Sequence, residues 1–412
     1  MQSKITTAAI AGVEKVRVPV QNLAIGMFVM ELDRPWLDTP FLVQGFTLRS
    51  QKDVDTIREY CRFVYVDITR GLSQTNNSGS KPKETIDYRT TRGFADSLDA
   101  AIPIHAEATN AVGEMFNSLR LGAALNTEAL KPVVESCVEN IVANPDAMLW
   151  LTMIKDKDNY TAEHSLNVCI LSIALGRAEG LLPLELENLG LCALLHDIGK
   201  VKIPEGVLNK EGSLDAKEFD VMKMHTVHGK KILLSQQKVP TAAVDVALSH
   251  HERLDGTGYP RGLPAEKIPY YVRLVAIVDA YDAMTSGRIY SAALPPADAM
   301  KRLLDAKGSQ VDEKLMEKFL DCMGLYPIGS IAELTSGELG IVLPSAVDNK
   351  LQPRVLVTRD SEKIACRERI VDLAKGGKTS GGKPLFIRAL HPDGYTEIFL
   401  RDYREAGLRL TP

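Results

Sequence analysis

LENLGLCALLHDIGK, residues 186–200, is an apolar helical run that ends on a histidine, an aspartate, a glycine and a lysine. At helical spacing His196 shares a face with Cys192 and Ala193, and Asp197 with Ala193 and Leu194, so both point toward a buried side. A carboxylate taken out of water costs several kcal/mol unless a cation or strong donors meet it. A lone His-Asp pair also has a blander reading, a helix-terminal histidine beside a solvated aspartate. Gly199 is predicted to stop the helix and release Lys200 into the loop beside the pair.

Six of the eight histidines fall between His164 and His251: His164, His196, His225, His228, His250 and His251. Imidazole is the commonest metal ligand and titrates nearest neutrality, so this crowding points to a metal or acid–base site. His164 sits on the apolar face of Val168, Leu171 and Leu175, where a satisfied core histidine is the competing reading. His225 and His228 are expected near a helix start, where surface positions would explain them equally well. Asp279 lies in VRLVAIVDAYDAM, residues 272–284, flanked at helical spacing by Val275, Ala276 and Ala283. It requires a cation or donors, an internal salt bridge being the alternative. HHERLDGTGYP, residues 250–260, places two histidines side by side. Neighbours on a helix point about 100° apart, so both serve one site only near a helix end. Asp255-Gly256-Thr257-Gly258 supplies such an end, although Asp-Gly and Gly-Tyr-Pro are ordinary turn chemistry.

The 412 residues exceed one ordinary core, and 45% hydrophobic with 25% charged is a globular balance. Net charge is −4 and no basic run is interleaved with aromatics, so general nucleic-acid binding has little support. Six scattered cysteines form no C-x-x-C pair and fit reduced thiols in a cytosolic protein. No stretch reaches the roughly 18 uncharged apolar residues of a membrane span, and the N-terminus lacks a signal-peptide core. A cytoplasmic protein is expected.

The fold class is expected to be multidomain and mainly α. Residues 1–71 read as a small β-rich N-terminal module, with strand candidates at 16–30 (broken at Gly26), Phe41–Leu48 and Phe63–Val66. Within it, a Ser50/Asp53 capping-box spacing opens a helix to about Tyr60. Residues 72–89 read as a Ser/Asn/Gly/Lys/Pro-rich linker and 90–149 as a helical connector, with Val112, Met115, Phe116 and Leu119 at helical spacing. The connector either leads into the central domain or mediates self-association. Residues 150–325 read as an all-α domain, with Pro183 and Pro240 where first-turn prolines belong. Residues 326–412 read as a short β-rich extension. It holds a hairpin through Ser336-Gly337 and strands at Val355–Thr358 and Leu385–Ala389, split by a Gly-rich run at 376–382.

His164, the pair His196-Asp197 inside LLHDIGK, and Asp279 resemble the H…HD…D signature of HD-superfamily metal phosphohydrolases. HHERLDGTGYP, preceded by His225 and followed by DAYDAMTSGR, resembles the HD-GYP branch, whose members hydrolyse cyclic di-GMP. The resemblance covers residues 150–325. The N-terminal segment is similar to a domain of unknown function often found ahead of HD-GYP domains. Position by position, the resemblance implies two divalent ions, iron first and manganese or others next. His164, His196, Asp197 and Asp279 would hold one, and Asp197 would bridge to a second held by His225, His250 and His251. It further implies hydrolysis of cyclic di-GMP to 5′-pGpG, and onward to GMP, by a metal-bridged hydroxide. Asp197 and Lys200 would be catalytic, and Lys200 and Arg288 would grip the substrate. Tyr160 stands where some members carry a third-metal glutamate, so two metals are expected. Ser291 stands where a basic residue is common and Ile289 where a proline is, which bears on the preference between cyclic di-GMP and pGpG. A pGpG-preferring hydrolase, and a low-turnover receptor acting on protein partners through Gly258, Tyr259 and Pro260, remain alternatives. A homodimer is compatible with the sequence.

Overall fold

The computed structural model of the chain describes residues 8–10, 13–23, 27–41, 45–48, 50–67, 85–154, 160–236, 239–286, 293–345, 350–379, 382 and 384–406. Gly26, most of the linker at 72–89, and the segment holding Arg288, Ile289 and Ser291 lie outside the described residues.

The N-terminal module has five antiparallel strands: β1 (Ala8–Ile10), β2 (Val13–Pro19), β3 (Phe28–Leu32), β4 (Phe46–Thr47) and β5 (Phe63–Asp67). Their order is β1-β2-β5-β3-β4. Helix α1 (Gln51–Tyr60) starts on the anticipated capping box. There Ser50 Oγ accepts from the Asp53 N–H at 3.2 Å and Asp53 Oδ2 accepts from the Ser50 N–H at 2.9 Å. Val54 and Ile57 on its inner face close over Val29, Leu32, Val64 and Val66. Of the expected strand at Phe41–Leu48, the described residues form β4 alone, after a turn at Gly45 with φ +73°, and 42–44 lie outside the described residues.

The chain then becomes helical: α2 (Phe94–Arg120), α3 (Lys131–Ala143), α4 (Pro145–Thr152), α5 (Tyr160–Ala178) and α6 (Pro183–Leu194). They continue as α7 (Glu205–Leu208), α8 (Ala216–Leu234), α9 (Thr241–Ser249), α10 (Tyr270–Thr285), α11 (Pro296–Asp305) and α12 (Glu313–Met323). Val112, Phe116, Trp150, Leu166, Leu189 and Val275 belong to one continuous apolar core, so the helices of residues 94–152 are built into the body that α5–α12 form. Pro183 begins α6, and Pro240 caps α9 from the position just before it.

The C-terminal residues form a second antiparallel sheet: β6 (Ile331–Leu334), β7 (Leu339–Leu343), β8 (Arg354–Arg359), β9 (Ala365–Asp372) and β10 (Ile387–His391), ordered β10-β6-β7-β8-β9. Gly337, at φ +85°, makes the anticipated β6–β7 turn. Strand β9 and the short helix α13 (Leu400–Ala406) were not foreseen: β9 is polar and mostly exposed along its first half, so it offers no core-facing alternation. Ile331, Leu339, Ile341 and Leu343 join the helical core, which fixes the sheet to the body.

Two expectations around the His-Asp pair change. Helix α6 ends at Leu194, so His196 and Asp197 lie in a turn beyond it, followed by a 3-10 helix at Ile198–Lys202. Gly199 therefore does not stop the helix; it permits close approach. A Cβ there would sit 1.8 Å from the His225 carbonyl oxygen and 2.4 Å from the Gly229 nitrogen, both α8 backbone. Likewise His225 is at the middle of α8, not at its start, and is buried, whereas His228 is half-buried on the same helix. The N-terminal module touches the helical body where the Trp36 N–H donates to Asp245 Oδ2 of α9 at 2.9 Å. No helix among the described residues is long and apolar enough to cross a membrane.

Gly199→Ala must push the 3-10 turn off α8, because the obstacle is backbone and cannot rotate away. Its cost is expected at or above the upper end of the ~1–3 kcal/mol of an overpacked core site. A urea or thermal midpoint within error of the parental value would contradict this account of the glycine.

Candidate metal centre

Five elements converge on one buried point. α5 contributes His164, the turn after α6 contributes His196 and Asp197, and the middle of α8 contributes His225. The C-terminal end of α9 contributes His250 and His251, and α10 contributes Asp279. His250 is the C-cap residue of α9, the helix end at which adjacent histidines can converge; their rings lie 4.1 Å apart.

Asp197 sits between two imidazole groups. Its Oδ2 lies 3.5 Å from His164 Nε2 and 3.2 Å from His196 Nε2, and its Oδ1 lies 3.4 Å from His225 Nε2 and 3.8 Å from His250 Nε2. Asp279 closes both ends of the cluster, with Oδ1 3.1 Å from His164 Nε2 and Oδ2 3.8 Å from His251 Nδ1. Two donor sets result, His164/His196/Asp279 and His225/His250/His251, with Asp197 between them.

Outer contacts fix which ring nitrogens face inward. His196 Nδ1 meets the Ala193 carbonyl at 2.7 Å, His225 Nδ1 the Met222 carbonyl at 2.7 Å, and His250 Nδ1 the Val246 carbonyl at 2.9 Å. A carbonyl only accepts, so each Nδ1 carries the proton and each Nε2 turns a lone pair to the centre. His225 Nε2 and His250 Nε2 stand 3.3 Å apart, two lone pairs facing each other. His164 Nδ1 instead meets Asp282 Oδ2 at 2.7 Å, and that carboxylate is held by Asn167 Nδ2 at 3.2 Å and Ser286 Oγ at 3.0 Å. A carboxylate behind a ligating imidazole is the usual device for orienting it and raising its basicity.

Burial decides the charge states. It pushes His250 down to about 3, helped by His196 and His225, and it also lowers His225 and, with His250 beside it, His251. These rings are neutral near pH 7. Burial works to raise the Asp197 carboxyl, but Lys200 and the neighbouring imidazoles outweigh it and hold Asp197 well below the usual carboxylate range. Asp279 follows the same pattern, burial opposed by His164 and His251. Lys200, in the 3-10 turn, ion-pairs with Asp197 Oδ2.

His196 Nε2 and Asp197 Oδ1 are buried and have no hydrogen-bond partner among the described residues. Neutral imidazole lone pairs and ionised carboxylates aimed at one dry centre are the donor set that divalent cations take. The residues therefore fit a metal pair.

All seven anticipated metal-ligating side chains meet here, with Lys200 beside them; His228 does not, and Arg288 lies outside the described residues. Two supporting acids were not foreseen. Asp282 left a trace in the D-A-Y-D spacing, one helical turn after Asp279. Glu252 accepts from the backbone N–H groups of Arg261 at 2.8 Å and Leu263 at 3.0 Å, tying the loop after α9 down, and nothing in a lone glutamate beside two histidines announces that role.

Residues 149–315 match the model of the HD domain family, and residues 15–130 match a Domain of unknown function (DUF3391). The chain is 36% identical over 373 residues to the cyclic di-GMP phosphodiesterase PA4108 of Pseudomonas aeruginosa, covering 88% of this chain and 90% of that protein. It is 37% identical over 172 residues to a cyclic di-GMP phosphodiesterase of Thermotoga maritima, covering 41% of this chain and 47% of that one. It is 33% identical over 169 residues to 3'3'-cGAMP-specific phosphodiesterase 2 of Vibrio cholerae, covering 41% and 32%.

If Asp282 orients His164, Asp282→Asn should weaken metal retention about 10–100-fold while leaving the far-UV spectrum intact. Competition with a chelator measures it; unchanged retention would make Asp282 a packing residue only.

Proposed function

The chain belongs to the HD-domain family of cyclic di-GMP phosphodiesterases, and from that premise we propose that it hydrolyses cyclic di-GMP at the Asp197-centred cluster. One P–O bond to a ribose 3′-oxygen is cut to give 5′-pGpG, and a second cut gives GMP. The observation that carries this reading is the division of the Asp197 carboxylate between two imidazole groups, one per oxygen. His164, His196, Asp197 and Asp279 would hold one divalent ion, and His225, His250 and His251 the other, with Asp197 shared. Bound there, the ions would supply Lewis acidity at the phosphoryl oxygens and lower the pKa of an attacking water toward neutrality. The mixed imidazole–carboxylate set suits iron or manganese, and the family resemblance puts iron first.

The remaining work falls to the chain itself. Exposure of the side chains rises from His196 at 0% and His164 at 1% to Lys200 at 16% and His251 at 26%, so a substrate arrives from the Lys200–His251 side. Lys200 lies on that approach, where its side chain would stabilise charge spreading over the phosphoryl oxygens. Asp282 and the carbonyls of Ala193, Met222 and Val246 keep the imidazoles aimed without any reorganisation during turnover. Arg288 is assigned a phosphate grip on the resemblance alone.

The same reading divides the chain into a β-rich module (1–71), a linker (72–89), a helical connector (90–149), the hydrolase domain (150–325) and a β-rich extension (326–412). It places the protein in the cytoplasm, with pGpG as product and further substrate. The Gly258-Tyr259-Pro260 loop and a homodimer contact are the candidate protein interfaces.

Asp197→Ala should lose both metal content and turnover of cyclic di-GMP; hydrolysis at the parental rate by the purified variant would end this assignment. Lys200→Ala should keep its metal and slow kcat by roughly 100-fold. Metal loss in that variant, seen by elemental analysis, would make Lys200 a structural partner of Asp197 instead.

A further inference from the structure

An aromatic row leads out of the metal centre on its open side. Tyr259 lies against His251, the most exposed of the seven ligating side chains, with ring centroids 4.7 Å apart and planes 32° apart. Phe219, on the first turn of α8, meets Tyr259 edge-on at 6.1 Å and 79°. Phe219 is 45% exposed and Met224, on the same helix, 41% exposed. Lys223 Nζ lies over one face of the Phe219 ring, 5.2 Å from its centroid and 2.6 Å from Asp220 Oδ1, which leaves the opposite face for a ligand.

The row is held in place. The two backbone N–H groups on Glu252 pin the loop that carries Tyr259, and Arg261 Nη2 donates to Ser249 Oγ at 2.8 Å. The Tyr259 N–H donates to the His251 carbonyl at 3.2 Å. Phe219 is the exposed end of the row, and Tyr259 and His251 are half-buried behind it. The row continues directly from the ligating imidazoles on the side by which substrate enters.

We propose that Phe219 and Tyr259, set edge-on to each other, form a walled shelf in which one purine base of the substrate stacks on the Phe219 face and abuts Tyr259 while its phosphodiester lies over the Asp197 cluster. The proposal rests on the hydrolase reading above and adds the group that recognises the base. A flat base against an aromatic face contributes about 1–3 kcal/mol and tolerates either purine. Phe219 is then a substrate-positioning residue that acts on affinity and leaves the chemical step alone.

Phe219→Ala should raise KM for cyclic di-GMP roughly tenfold, since about 1.4 kcal/mol is a factor of ten, with kcat within about twofold and metal content kept. F219W should restore KM. That variant also gives a readout independent of turnover, because Trp36 and Trp150 are both buried and the new indole is the exposed one. GMP titrated into the metal-loaded F219W protein should quench its emission saturably, and ribose 5-phosphate, which has no base, should not. Absence of quenching by GMP would overturn the shelf. So would a fall in kcat and metal content at unchanged KM, the mark of a ring that merely supports His225 on the same helix. An unchanged KM and kcat in Phe219→Ala would reject it too and leave the patch to a protein partner. If the parental protein turns over no cyclic dinucleotide, the hydrolase reading fails first, and the shelf with it; if it does, these variants judge the shelf alone.

Discussion

One carboxylate organises this molecule. Asp197 is 1% exposed, and each of its oxygens faces a different group of imidazoles, with Lys200 on one side. A buried ionised carboxylate and a set of neutral imidazole lone pairs are each expensive arrangements, costing several kcal/mol when left uncompensated. They make sense together, since each supplies half of what a cation needs. The rest of the fold holds them at that distance. Gly199 lets the His-Asp turn lie directly on the α8 backbone, and the end of α9 sets His250 and His251 side by side.

The support comes from two directions. Inside, α5 and α10 present His164 and Asp279 from the continuous apolar core, with Asp282 reaching behind His164. Outside, the N-terminal module grips α9 through the Trp36–Asp245 hydrogen bond, one turn before His250. The helix that positions two imidazoles therefore also carries a contact to the β-rich module.

Much of this was legible in the sequence because buried polar residues stand out on greasy faces. His164 among Val168, Leu171 and Leu175, and Asp279 among Val275, Ala276 and Ala283, announced themselves in that way. The capping box at Ser50 and the Ser336-Gly337 turn were legible because their chemistry is local. Long-range packing was not. The helix before His196 ends at Leu194, and Gly199 answers to α8, which no local pattern reveals. Strand β9, polar along its exposed half, and Glu252, whose role lies in backbone contacts across a loop, were invisible for the same reason.

The central claim is that seven side chains from five elements enclose a pair of divalent ions around one shared carboxylate. Its most direct test is elemental analysis of the full-length protein purified without oxygen, with metal counted per chain. Two ions per chain are expected in the parental protein. A saturating value of one, or none, in folded protein would contradict it.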